Sequence, residues 1–340
     1  MTTMHINNST IHTRRAQTGL SMVELMVALA IGSFLMIGAM QIFNQSRQAF
    51  VINESIARVQ ETAQFAMDTL EADLRMASNW GRNSRPLAVE GRAMDGNANP
   101  ASLAIPAAAL GCGADWPTDL AMTVDGENND YTMPCNPPGD GVAQADSDVV
   151  TVRRASVAAV APVDGRLQIQ TTRVGGQLFI DDSPTFCDPL APPPVDCTTH
   201  NLMVNSYYVA ANSALIPGVP TLRRKSLTFV GGAMTIQDQE VAPGVENMQV
   251  QFGVDVNEDN TVDRYVNPGD AVYDPAAVGY IPGARVMTVR VWLVIRGITR
   301  EGGIVDTRNY MPGDRGLGVP TDEYRRMQVS KTILLRNART

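Results

Sequence analysis

Two short stretches of this sequence set chemically capable residues at informative spacings. In the first, Asp255-Val256-Asn257-Glu258-Asp259-Asn260-Thr261-Val262-Asp263, side-chain oxygens fall at loop positions 1, 3, 5 and 9, and Thr261 offers a carbonyl at position 7. Alternate residues of a tight loop point their oxygens at one centre, so the spacing suits a hard cation such as calcium. Asn260 stands where such loops carry glycine, and Val266 where they carry a bidentate glutamate. The same residues suit an acidic turn between two strands equally well. Calcium is therefore an accessory expectation, and no cofactor is required. The second stretch is Gly19-Leu20-Ser21-Met22-Val23-Glu24, which opens a run from Leu25 to Ser46 without a formal charge. A carboxylate at the entrance to so apolar a segment costs about 3 kcal/mol at the centre of a bilayer and less near its edge. Glu24 thus either reaches back to the headgroups or has a partner.

The four cysteines, Cys112, Cys135, Cys187 and Cys197, all lie beyond the apolar run. An even count fits two disulfides, and four cysteines allow three pairings. The short loops favour Cys112 with Cys135 and Cys187 with Cys197, while free buried thiols are the alternative. Disulfides would put this part of the chain in an oxidising compartment. No C-x-x-C pair occurs, and His200 is the one histidine beyond the first nineteen residues, which gives zinc little to bind. No H-E-x-x-H, G-x-S-x-G or Walker-type loop is present, so the expectation is a protein that is not an enzyme. The glycines of 311-MPGDRGLGVP-320 are a weak phosphate-loop signal.

The elements that carry these residues follow from periodicity. The apolar run from Leu25 is long enough to cross about 30 Å of hydrocarbon at 1.5 Å per residue. Arg14 and Arg15 precede it and stay cytoplasmic by the positive-inside tendency, which leaves the rest of the chain outside. Beyond the membrane, Ile52, Ile56, Val59, Ala63, Met67, Leu70 and Leu74 recur at steps of three and four. That stripe predicts an amphipathic continuation of the same helix to about Ala77, closed by Ser78-Asn79-Trp80-Gly81. Residues 82 to 147 are rich in Gly, Pro, Asn and Asp and read as loops. Strand patterns then appear at Asp148 to Arg154, Leu167 to Thr171, Gln177 to Ile180, Val204 to Ala210, Val245 to Asp255, Val286 to Arg296 and Met327 to Leu335. In the clearest of these, Met287, Val289, Val291, Leu293 and Ile295 alternate with Thr288, Arg290 and Trp292. The expected fold is α+β: a long N-terminal helix packed on an antiparallel, loop-rich β-sheet head. Its divisions are a leader (1–19), a transmembrane segment (20–46), the amphipathic continuation (47–77) and a β-rich head (78–340).

A formal charge of −8, without a clustered basic stripe, argues against nucleic acid as a partner. Only two lysines occur, Lys225 and Lys331. This composition suits an extracytoplasmic β domain better than a cytosolic enzyme.

Basic residues, a glycine, a hydrophobic residue, a glutamate and an uninterrupted apolar helix together resemble the processing motif of type IV prepilins and type II secretion pseudopilins. In those families a membrane peptidase cuts after the glycine and methylates the new N-terminus. The resemblance implies cleavage between Gly19 and Leu20, with Glu24 as fifth residue of the mature chain. Glu24 would neutralise the new amino group of a neighbouring subunit, removing two buried charges together. Loss of Arg14 and Arg15 would take the formal charge from −8 to −10. The leader is long, and Met4 is an alternative start; Gln41 stands where many major pilins carry proline. The segment Gly244 to Asp255 with Asp263-Arg264-Tyr265-Val266, and the ending Arg325 to Asn337, are similar to PilW-type minor pilins. That likeness implies a minor pilin of the inner membrane with a periplasmic head that joins a priming or tip complex. Its partners would be other minor pilins, the major pilin, prepilin peptidase, the inner-membrane assembly platform and a tip adhesin, in a pilus serving adhesion and twitching motility. A minor pseudopilin of type II secretion, or a signal-anchored periplasmic adhesin or enzyme, is the alternative.

Overall fold

A computed structural model describes residues 19, 21–93, 103–138, 142–187 and 196–338. The chain divides into residues 1–54 and 55–340, described separately below.

One helix, α1, runs Met22–Leu74. In its first part the large apolar side chains face outward; Met22, Phe34, Leu35 and Phe43 are each at least 66% exposed. Among the described residues this is the one helix long and apolar enough to cross a membrane, with a mean hydropathy of 2.1 over its best window. Ile52 belongs to this exposed part, whereas Val59, Ala63, Met67, Leu70 and Leu74 are buried in the second unit. The helix ends three residues before the expected Ala77. Met76 and Ala77 there donate to carbonyls three residues back, Asp73 and Leu74, tightening the last turn, and Ser78 follows with a left-handed φ of 62°.

Among the described residues twelve strands make up the head: β1 (Val89–Glu90), β2 (Val124–Glu127), β3 (Val149–Ala155), β4 (Gln168–Thr171), β5 (Gly176–Phe179), β6 (Thr198–Ala210), β7 (Thr221–Val230), β8 (Ala233–Pro243), β9 (Val245–Asp255), β10 (Arg264–Val266), β11 (Arg285–Arg296) and β12 (Arg326–Leu334). β9 to β12 form a four-stranded antiparallel sheet in the order β10-β9-β11-β12. The other eight form a sheet whose organiser is β6. Its first half pairs with β4, its middle with β3 and its end with β7. All its pairings are antiparallel except β1 with β5. The apolar face read from β11 is buried as expected, Met287, Val289, Val291, Leu293 and Ile295 each being at most 1% exposed.

Two cores result. The helix stripe from Val59 to Ala77 packs with Val150, Val152, Tyr207, Val250, Phe252, Val291 and Leu293, so residues of both sheets meet one helix. The second core holds Trp80, Trp116, Leu120, Leu167, Ile169, Leu202 and Tyr208 on the other side of the larger sheet.

The hairpin β7–β8 escaped the sequence reading. Polar residues at Arg223, Arg224, Lys225 and Gln237 to Glu240 blur its alternation. Its turn is Gly231-Gly232, both at positive φ, the two-residue turn that matches strand twist. β6 also begins earlier than the expected Val204, because Thr198, Thr199, His200 and Asn201 pair with β4; the two threonines favour a strand, but the stretch carries no apolar alternation to mark it.

Candidate functional site

At the N-terminus the first turn of α1 supplies its own partners. Ser21 is the cap: the Glu24 backbone amide donates to Ser21 Oγ at 3.1 Å, and the Ser21 amide donates to Glu24 Oε2 at 3.1 Å. This reciprocal S-x-x-E box satisfies two donors that a helix start leaves unpaired, and it sets a carboxylate on the positive end of the helix dipole. The charge pattern had drawn attention to Glu24 but not to Ser21, although the spacing was visible in the sequence. Gly19 lies just ahead of this box, and a Cβ built there meets nothing within 4 Å. Leu20 and the two leader arginines lie outside the described residues.

The last turns of the helix are tied into the head by a second carboxylate. Asp73, 6% exposed, accepts from Arg154 Nη2 at 2.7 Å and Nε at 3.0 Å, from Asn205 Nδ2 at 2.6 Å and from Tyr207 Oη at 2.6 Å. All four donors stand on β3 or β6. Glu71 pairs with Lys331 of β12, and Ser55 donates to Glu301, which Arg325 holds at 2.8 Å.

Cys112 is bridged to Cys135 and Cys187 to Cys197, with Cα separations of 4.5 and 6.1 Å. The first bridge closes a segment that Trp116 pins to β6, its indole N–H donating to Ser206 Oγ at 2.9 Å. Arg153, buried in β3, holds the same segment by donating to the carbonyls of Trp116 and Met122 at 2.9 and 2.6 Å. His200 is satisfied in the core between the Ser156 carbonyl and Thr198 Oγ1, at 2.8 and 2.9 Å.

Close to Arg153, burial pushes the Asp125 carboxyl up to about 6 against the pull of that guanidinium. Between about 3.8 and about 6 the folded chain therefore holds a proton that the unfolded chain has released. Stability contributed by the protonated form is complete below about 3.8 and is lost as pH rises to about 6. Asp125→Asn removes this dependence, and the expected gain at pH 7 is about 2 kcal/mol. Urea unfolding of both proteins from pH 4 to 7 reads it, and parallel pH profiles would contradict it.

The loop after β9 folds around its own amides. Asp255 accepts from Asn257 N at 3.2 Å and Asn260 N at 2.9 Å, and Arg285 Nη2 stands 3.2 Å from it. Burial opposes its ionisation, but the Asn260 amide and Arg285 outweigh that and hold it below the usual carboxylate range. Asp259 accepts from Thr261, and Asp263 from Val256 and Asn257. Among the described residues no group of three His, Cys, Asp or Glu side chains is placed to hold a metal. Within the turn Asn257 Oδ1 also accepts from Asp259 N at 3.1 Å, and Thr261 donates through its amide and hydroxyl.

An outward-facing apolar helix opened by a capped acid continues into a stripe that organises a two-sheet head, an α+β arrangement of the pilin-like kind. Residues 206–337 match the family model of the Type IV Pilus-assembly protein W, PilW, and residues 14–40 match the Prokaryotic N-terminal methylation motif. The C-terminal part of the chain is thus similar to PilW of the type IV pilus, and its amino terminus carries a prepilin-like motif. The first match runs from the middle of β6 to the end of the head and so contains the whole four-stranded sheet. No curated protein and no solved structure matches the chain. The likeness to type IV pilins implies contact with other pilins and the pilus machinery.

Proposed function

We propose that this subunit is cut between Gly19 and Leu20 by prepilin peptidase, methylated at Leu20, and joined to other minor pilins in a priming or tip complex that starts type IV pilus assembly. It waits in the inner membrane with its head in the periplasm and then enters the fibre through its apolar helix. The observation that carries this reading is the exposed face of residues 22–54: side chains such as Phe34 and Leu35 have no partner among the described residues and need lipid or neighbouring helices. Head-to-tail packing of such helices builds an open helical filament. The match of the C-terminal part to PilW supports a pilus subunit over a type II secretion pseudopilin.

The test is N-terminal mass spectrometry of the protein from membranes and from sheared pili. A methylated chain beginning at Leu20 in both fractions is expected. A chain beginning at Met1 or Met4, or its absence from sheared pili when other minor pilins are present, would overturn the reading.

A further inference from the structure

The glycine-containing loop 311-MPGDRGLGVP-320 folds into an arrangement that phosphate would not choose. It delivers Asp314, an exposed carboxylate, to a cluster of amides. Asn128 Nδ2 donates to Asp314 at 3.2 Å, Asn129 Nδ2 at 3.4 Å, and Asn267 Nδ2 more closely. Beside it is Asp148, 1% exposed, whose two oxygens accept from Asn129 N at 2.8 Å and Val250 N at 2.6 Å. The charges of Asp148 and Asp314 lie close enough to repel. Neither is ion-paired to a lysine or arginine among the described residues; the neighbouring Arg315 is turned to Asp146.

What singles the cluster out is its surplus of acceptors. Oδ1 of Asn128, Oδ1 of Asn129 and Oε1 of Gln249 are buried and have no hydrogen-bond partner among the described residues. Gln249 is 0% exposed, and its Nε2 is spent on the Asp146 carbonyl at 3.0 Å. Its Oε1 is turned to the loop, 3.5 Å from where a Cβ on Gly313 would sit, and that Cβ would come within 2.9 Å of Gln249 Cβ. Only glycine allows the loop so close at a φ of 55°. The Asn128 and Asn129 amides each rest their nitrogen on Asp314, and a 180° turn of either amide would bring its unpartnered oxygen round to face that carboxylate across an ion. Buried acceptors without donors are costly and rare in folded proteins, and they point to a missing positive charge or donor.

We propose that Asp148, Asp314, Asn128, Asn129 and Gln249 form a site for one hard divalent cation, calcium by its chemistry. Two carboxylates balance a charge of +2, and three neutral amide oxygens complete an all-oxygen set. Ligands drawn from four separate segments suit the longer, less directional contacts of calcium better than the strict octahedron of magnesium. The ion would lock the 311–320 loop to the strands β3 and β9, and so fasten the smaller sheet to the larger.

The experiment is calcium titration by calorimetry of the full-length chain in detergent micelles, with the thermal midpoint as second readout. One site with a Kd on the order of 0.1–1 mM and a midpoint raised by about 2 °C or more is expected. Asp314→Ala, at an exposed position, and Asn128→Leu should each weaken binding at least about tenfold. Asp259→Ala, in the 255–263 loop, should leave it unchanged. Neither heat nor a midpoint shift at about 5 mM calcium would overturn the proposal. So would calcium binding that survives Asp314→Ala in a protein with native circular dichroism, or that disappears in Asp259→Ala.

Discussion

Asp73→Ala should lower the unfolding free energy of the head by about 3–5 kcal/mol, the largest effect expected of any single polar substitution here. Three donor side chains converge on this one buried carboxylate from β3 and β6. Removing it leaves the Arg154 charge, only 14% exposed at its side chain, without its counter-ion, and orphans the Asn205 amide and Tyr207 hydroxyl. Asp73→Asn keeps the shape and some hydrogen bonds, so a loss of about 2–3 kcal/mol is expected. Asp68→Ala, an exposed site earlier in the same helix whose side chain accepts from Gln64 Nε2, should change stability by less than about 0.5 kcal/mol. Guanidinium unfolding of the three variants decides the matter; an Asp73→Ala midpoint equal to that of Asp68→Ala would remove the carboxylate from any structural role.

Glu24→Ala should cut incorporation into pili at least about tenfold while the protein still inserts in the membrane, because an unneutralised buried amino group costs several kcal/mol. The capping box complicates that experiment usefully. Glu24 also serves its own helix by accepting from Ser21 N. Glu24→Gln keeps a side-chain acceptor for the cap and deletes the charge, so it should behave like Glu24→Ala if charge neutralisation drives assembly. Ser21→Ala deletes the cap and leaves the charge; the cost there is about 1 kcal/mol of helix stability, and pilus number should hardly move. Counting of subunits in sheared pili against the membrane pool reads all three. Wild-type incorporation of Glu24→Gln beside a defective Ser21→Ala would hand the role to the cap.

How far the sequence foretold this molecule depends on the range of the contacts involved. The apolar run, the stripe from Val59 to Leu74 and the alternation from Met287 to Ile295 are written in local periodicity, and all three appear in place. β7 and β8 are local too, but their arginines, lysine and acids pair across the hairpin, as Arg223 does with Asp238 and Glu240, so their burial left no apolar signature. Asp73 is an acid on the buried side of an amphipathic helix, and the stripe reading passed it over; its donors sit more than eighty residues away. The Trp116 segment is of the same kind, since its order rests on Arg153 and Ser206 and not on its own composition. The Ser21–Glu24 box needed only a spacing of three, but the glutamate's place beside an apolar run invited an intermolecular reading first.

The way the end of α1 is fastened bears on how the head would answer a mechanical load. Asp73 ties the helix to β3 and β6, Glu71 ties it to β12, and the Asn337 side chain grips the Ala77 carbonyl at 3.1 Å. A load carried by the helix would therefore reach both sheets at once, since β3 and β6 belong to the larger and β12 to the smaller.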